Sequence, residues 1–414
     1  MGGDLRPKGR GSALDADLSQ RLADLERAGL RRVLRGVERG TGAEVRIDGT
    51  GAIDFSSNDY LGLAADPRIA RAAARALAET GTGAGAARLI SGNHPLHERL
   101  EREIAAFEGA PAALLFASGY AANTGVIPAL VGRGDAVYSD ALNHASLIDG
   151  CRLSRAELRV FPHADLHALD GMLRQDAGRF ARRMIVVDGV FSMDGDLFPL
   201  DRLVELARAH GAWTYVDDAH GTGILGPNGR GAAEHFGGED AVDVRMGTLG
   251  KALGTAGAFI AGSERLREWL LNRARPFVFT TGTPPALAAA TLEALRIVRD
   301  EPWRRARLRE NAHRLRDGLA AFGHVVPGEA DGHIVPVLTG DAEGTMRIGA
   351  ALRERGFMVG AVRPPTVPPG GSRLRITLSA AHTAEQIGGL LDALRTELPA
   401  PCSRAGAETN RAGE

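Results

Sequence analysis

Trp213-Thr214-Tyr215-Val216-Asp217-Asp218-Ala219-His220-Gly221-Thr222-Gly223 runs from an apolar strand into acid, histidine and glycine. A five-residue run rich in aromatic and β-branched side chains, closed by a Gly-containing turn, reads as a buried strand. The segment before it, residues 200–210, has helical period. Further short apolar runs lie at 112–116, 136–138, 184–188, 242–246 and 258–261, with helical segments among them. Strands alternating with crossover helices make a mostly parallel sheet that is buried on both faces. The expected fold class is therefore α/β, with helices on both faces of a central sheet and a smaller α+β domain at the C-terminal end.

Outward from this centre, the N-terminal side carries Leu18, Leu22, Leu25 and Leu30 at near-helical spacing over 16–38. A hairpin is expected over 45–55, with Asp48-Gly49 at its turn. Helices are expected at 68–80 and 95–108. On the C-terminal side one long helical stretch, 285–322, bridges to a domain with a strand at 334–337, a helix near 343–355 and a strand at 373–378. The expected organisation is an N-terminal segment (1–57), a large domain (58–290), a small domain (291–400) and a disordered tail (401–414).

Composition excludes several classes. The chain has 414 residues, 44% hydrophobic and 24% charged, with a formal net charge of −1. This is ordinary globular composition with no bulk basic charge for nucleic acid. Two distant cysteines, Cys151 and Cys402, form no disulfide framework or CxxC pair, which fits a reducing cytoplasm. No apolar run reaches the ~18 residues of a membrane span, and no signal-peptide core opens the chain.

Lys plus Arg number 50, yet only Lys8 and Lys251 are lysines. Arginine serves for solubility and carboxylate binding, but only a neutral primary amine attacks an aldehyde to form a Schiff base. Lys8 lies in a Gly/Arg-rich tail. Lys251 follows Gly247-Thr248-Leu249-Gly250 in the middle of the chain. Ligands of open parallel sheets sit beyond the carboxyl ends of the strands. Asp217 and Asp188 close two such strands, and His144 lies in Asn143-His144-Ala145-Ser146. Ser118-Gly119-Tyr120 joins a strand to a helix start, whose free N–H groups suit a phosphate. Singly, Asp217 reads as a helix cap and His144 as a turn histidine. Together with one central lysine they suit an aldehyde cofactor with a phosphate and a protonatable ring nitrogen.

Other motifs carry less. Gly81-Thr82-Gly83-Ala84-Gly85-Ala86 fits a loose dinucleotide pattern but follows a helix where a strand is required. His163 and His167 have i, i+4 metal spacing with no evident third ligand, and read better as an exposed helix start. No metal is expected.

Six motifs carry a family resemblance: Ser57-Asn58-Asp59-Tyr60-Leu61-Gly62-Leu63, Arg88-Leu89-Ile90-Ser91-Gly92, His144-Ala145-Ser146, Val190-Phe191-Ser192-Met193-Asp194-Gly195-Asp196, Asp217 through Gly223, and Thr248-Leu249-Gly250-Lys251. In this order the chain resembles the α-oxoamine synthases, fold-type I enzymes that use pyridoxal 5′-phosphate (PLP). The resemblance implies that Lys251 holds the PLP aldehyde and moves protons at the substrate α-carbon. Asp217 pairs with the ring nitrogen, His144 stacks on the ring and His220 bonds the ring hydroxyl. Gly119, Tyr120 and Thr248 hold the phosphate, and Asp188 and Ser192 lie beside the ring. It also implies a homodimer, with Thr280 or Thr281 reaching the phosphate of the neighbouring subunit.

The family joins an amino acid to an acyl thioester. Residues 361–378 are most similar to the branch that condenses L-alanine with a pimeloyl thioester, with loss of CO2, on the way to biotin. That branch implies Arg363 on the amino acid carboxylate, Thr366 near the substrate and Arg31 near the entrance. A surface charge explains Arg31 equally well. Condensation of glycine with an acetyl thioester, another α-oxoamine synthase reaction with a different acyl donor, and a scaffold subunit without catalysis are the alternatives. The acyl carrier, coenzyme A or acyl carrier protein, stays open.

Overall fold

The computed structural model describes residues 12–238, 241–324, 326–329 and 331–399. The tail expected at 401–414, and Lys8, lie outside the described residues.

The centre is a seven-stranded sheet. In spatial order its strands are Ala112–Phe116, Ala258–Gly262, Val244–Thr248, Trp213–Asp217, Arg183–Asp188, Ala136–Asp140 and Glu157–Phe161. Ala258–Gly262 is antiparallel to both neighbours, and the other pairings are parallel. The mostly parallel sheet read from the sequence is therefore present, with one reversed strand. Helices cover both faces. Val126, Ile127 and Leu147 pack on one face, and Leu169, Phe198 and Leu203 on the other. Full burial of each such side chain contributes about 1.5–3 kcal/mol.

The strand Glu157–Phe161 is an addition to those expected from the sequence. It lies at the sheet edge, where Glu157 and Val160 remain exposed. Charged side chains are tolerated there and blur the apolar signal. The first helix is shorter than its leucine spacing suggests. Ala13–Arg27 ends before Gly29, whose φ of 65° favours glycine. The long bridge is two helices, Pro285–Asp300 and Trp303–Ala321, because Pro302 interrupts the backbone ladder. The expected hairpin forms between Glu44–Ile47 and Thr50–Asp54, with Asp48 and Gly49 both at positive φ.

Near the C-terminal end, Ile334–Gly340, Ser372–Thr377 and Gly360–Val362 form an antiparallel sheet with Ser372–Thr377 at its centre. The N-terminal hairpin joins this region. Phe357–Met358 pairs in parallel with Ile53 and Asp54, and Thr377 N–H donates to Phe55 O at 2.8 Å. The segment carrying Asn58 and Tyr60 is thereby fixed against residues more than 300 positions later.

Candidate active site

Parallel pairing aligns strand ends, so polar residues at those ends converge. Asp188 and Asp217 are direct register partners on adjacent strands. Lys251 follows the next strand, Val244–Thr248. Its turn is held by Gly254 N–H on Lys251 O at 2.9 Å. Gly254 has φ 65°, and a Cβ there would lie 2.4 Å from Ala64 N. Only glycine lets the lysine turn dock against the Leu63–Ala64 backbone.

Lys251 Nζ lies 2.8 Å from His220 Nε2, and His220 Nδ1 lies 2.7 Å from the Tyr60 hydroxyl. Tyr60 donates to Asn58 Oδ1 at 2.9 Å, and Arg375 approaches the same oxygen at 3.4 and 3.5 Å. Burial pushes the Tyr60 phenol up to about 12, so it keeps its single proton. With that proton given to Asn58, His220 donates from Nδ1 to Tyr60. His220 Nε2 is then left to accept from the lysine. Burial, reinforced by Lys251 and Arg375, holds His220 far below its usual range and neutral. His333, buried and edge-on to Tyr60 with ring centres 4.2 Å apart, is driven down to about 3 by burial, Arg375 and Lys251.

Burial lowers the Lys251 amine to about 8, partly opposed by the Asp217 and Asp188 carboxylates. The sign gives a test. The neutral amine grows tenfold per pH unit below about 8 and levels off above it. Reductive methylation of Lys251 in the cofactor-free protein, followed by peptide mass spectrometry, should trace that curve. An ordinary lysine would still be rising at pH 10.

A second network holds Asp217. Its Oδ2 accepts from Asn123 Nδ2 at 2.7 Å and its Oδ1 from Ala219 N–H at 3.0 Å. Asn123 also accepts from the Tyr215 hydroxyl at 2.7 Å and donates to Ser146 Oγ at 2.8 Å. Ser146 Oγ lies 2.7 Å from His144 Nδ1. His144 N–H donates to Asp188 Oδ2 at 2.6 Å. Burial, with Asp217 beside it, raises Asp188 well above the usual carboxyl range. His144 is lowered by partial burial, against the pull of Asp217, and its residue remains exposed to solvent.

The start of helix Gly119–Leu130 fits a phosphate. Ser118 takes the Ala121 N–H on Oγ and the Ala122 N–H on its carbonyl. Among the described residues the Gly119 and Tyr120 N–H groups have no partner. A Cβ on Gly119 would meet Thr248 Cγ2 at 3.0 Å, so glycine keeps this cradle open. Thr248 Oγ1 donates to Ala219 O at 3.1 Å. Tyr120 is half exposed and donates to Asp149. Ser192 O accepts from Arg375 Nε. An amine, an acidic pair at the strand ends and a cradle for a dianion are the donor set PLP requires.

Arg31 and Thr366 each meet Arg363, and none of the three bonds Lys251. Arg363 Nη2 approaches Arg31 O at 3.5 Å and Arg31 pairs with Glu26 at 2.6 Å. Arg363, Thr366, Leu30 and Arg32 line a cavity of about 210 Å³. Arg375, Asn58, Tyr60, Asn123 and His333 join the site without a role expected from sequence. Tyr60 and Asn58 lie inside the Ser57–Leu63 motif, the one signal that marks them. His163 is not an exposed helix start. It lies between Asp140 and Asp196, while His167 is exposed on the helix Leu166–Gln175. Among the described residues no group of three side chains is placed to hold a metal ion.

The sheet order and the lysine after its carboxyl edge define a fold-type I transferase. A family model described as aminotransferase class I and II matches residues 50–394. The 8-amino-7-oxononanoate synthase of Anaeromyxobacter sp. (strain K) is 53% identical over 392 residues, 95% of this chain and 97% of the relative. Serine palmitoyltransferase from S. paucimobilis, solved with a bound PLP–myriocin aldimine, matches with TM-score 0.86 at 33% identity, over 92% of this chain and 96% of its own. The 8-amino-7-oxononanoate synthase from Francisella tularensis matches with TM-score 0.72 at 29% identity, over 84% and 97%. The chain belongs to the α-oxoamine synthase family of PLP-dependent enzymes.

Proposed function

We propose that the chain acts as an 8-amino-7-oxononanoate synthase, joining L-alanine to a pimeloyl thioester in biotin biosynthesis. The new bond links the alanine α-carbon to the thioester carbonyl carbon, the thiol leaves, and the alanine carboxyl group departs as CO2. The observation that carries this reading is 53% identity to an enzyme of that name over 95% of the chain. The buried Lys251 amine, held beside His220, supports it.

PLP, when bound, supplies an electron sink for the pair left at the alanine α-carbon. Lys251 would hold the aldehyde and move the proton at that carbon. Asp217 would pair with the ring nitrogen, His144 would cover the ring and His220 would bond the ring hydroxyl. Asp188 and Ser192 would lie beside the ring, and Gly119, Tyr120 and Thr248 would hold the phosphate. To the alanine carboxylate we assign Arg375, which approaches Asn58 Oδ1 at 3.4 and 3.5 Å at the end of the Asn58–Tyr60–His220–Lys251 chain of contacts. Arg363, with Arg32 and Thr366 around the outer cavity, suits the far carboxylate of the pimeloyl chain.

Mass spectrometry of products from paired amino acids and thioesters tests the assignment. Alanine with pimeloyl-CoA or a pimeloyl carrier protein should give the nine-carbon amino keto acid. Product from glycine with acetyl-CoA alone would assign the chain to the other branch.

We further infer a homodimer. Helix Ala13–Arg27 buries none of its residues, and Leu14, Leu18, Leu22 and Leu25 are exposed. Ile90 is 81% and Phe279 70% exposed, beside Thr280 and Thr281. An apolar patch at that place suits a partner surface that delivers a threonine to the neighbouring phosphate. Light scattering should give twice the 43.6 kDa of one chain, and Ile90→Arg with Phe279→Glu should shift it toward one. A cytoplasmic location fits the buried free thiol of Cys151 and the lack, among the described residues, of any helix long and apolar enough to cross a membrane.

A further inference from the structure

We propose that His163 is a positioning residue whose imidazolium clasps the turn carrying His144 to the loop carrying Ser192. Nothing in the reaction itself uses this histidine. Its Nδ1 lies 3.0 Å from Asp140 Oδ1 and its Nε2 lies 2.7 Å from Asp196 Oδ2. Both neighbours are carboxylates, which only accept, so both ring nitrogens must donate and the ring must be charged. Asp140 and Asp196 are the ionisable groups that act on it, and together they push it up to about 10. The edge of the ring pair is closed by Phe191, with ring centres 4.3 Å apart.

The two carboxylates belong to separate parts of the site. Asp140 ends the strand Ala136–Asp140 and is buried. Its Oδ1 also accepts from Leu142 N–H at 2.8 Å, and its Oδ2 from Ala164 N–H at 2.8 Å. It therefore shapes the turn that leads into Asn143 and His144. Asp196 closes the loop 191–196, where Phe191 N–H donates to Asp196 O at 3.0 Å. Asp196 Oδ1 is buried without a partner, so its side chain is held through His163. The same loop is gripped from its other side, because Arg375 donates to Ser192 O and Arg373 to Asp194. His163 thus completes a connection from the His144 turn, through the loop, to the arginines of the C-terminal sheet. A neutral ring would leave one carboxylate facing a lone pair and loosen that connection.

The proposal rests on the PLP-site reading of His144 and Ser192, and its test separates the two. Histidine-selective ¹⁵N labelling of the cofactor-free protein should show both ring nitrogens of His163 protonated at pH 8. A neutral ring at pH 8 overturns the clasp. His163→Gln, Asp196→Asn and the double variant are then compared for PLP affinity, by tryptophan fluorescence, and for thermal midpoint. Each single variant should bind PLP about tenfold more weakly at nearly unchanged midpoint, the scale of one charged hydrogen bond. The double variant should be no weaker than either. Unchanged affinity, or losses that multiply in the double variant, would overturn the clasp. If His163→Gln is insoluble, Asp196→Asn alone carries the affinity test, by the same criterion. A wild-type protein that takes up PLP without a borohydride-reducible chromophore would instead overturn the cofactor reading.

Discussion

Lys251→Arg should abolish turnover, by at least about a thousandfold, while leaving the fold intact. Arginine keeps the cation but stays protonated, so it offers no lone pair to an aldehyde. The chain makes this test unusually clean. Lys251 and Lys8 are its only lysines, so no neighbouring amine can take over. The measured quantities are product formation and a borohydride-reducible chromophore, and both should vanish. The Nζ···His220 contact of 2.8 Å should be replaced by a bulkier planar group. The thermal midpoint should therefore fall modestly rather than collapse. Retained activity in this variant would end the proposed chemistry.

Asp217→Asn should lower kcat on the order of a hundred- to a thousandfold, the scale of one preorganised electrostatic contact. It should also cost about 1–3 kcal/mol of stability. The second effect follows from the network. Asn123 presents its amide N–H to Asp217 Oδ2 because its oxygen is engaged by Tyr215. An asparagine at 217 can keep the Ala219 N–H on its oxygen, but its own amide then faces another donor. If Asn123 flips, the buried Tyr215 O–H loses its acceptor. Steady-state kinetics and a denaturant titration read the two effects separately. A variant with full kcat would mean that the ring nitrogen needs no anion from this strand.

The large sheet was legible because its strands are short, apolar and buried on both faces, as at Met184 through Val187. Strand ends then announced Asp188 and Asp217, and the scarcity of lysine singled out Lys251. The Glu157–Phe161 edge strand escaped because its exposed charges weaken the apolar run. Pro302 is visible in the sequence, yet continuous helical period on both sides masked the break it makes. The contacts of Tyr60 and Arg375 were illegible for a different reason. Nothing local in Asn58-Asp59-Tyr60 specifies that its partner arginine lies at 375. Only the pairing of distant segments brings them together. Arg363 was the more prominent arginine in its Pro-rich setting, whereas its guanidinium approaches Met346 and Arg31 rather than Lys251.

The stitching of residues 53–60 to 356–380 has a consequence for synthesis on the ribosome. Ile53 N–H bonds Gly356 O, Thr377 N–H bonds Phe55 O, and Ala380 N–H bonds Tyr60 O. The tyrosine that orients His220 thus acquires its anchor only after nearly the entire polypeptide has emerged. Closing so large a span is entropically slow. Until it closes, the nascent chain can assemble its seven-stranded centre yet lacks a finished lysine environment. Catalytic competence is therefore the last property this molecule gains, and a truncation before residue 372 should leave a sheet without an enzyme.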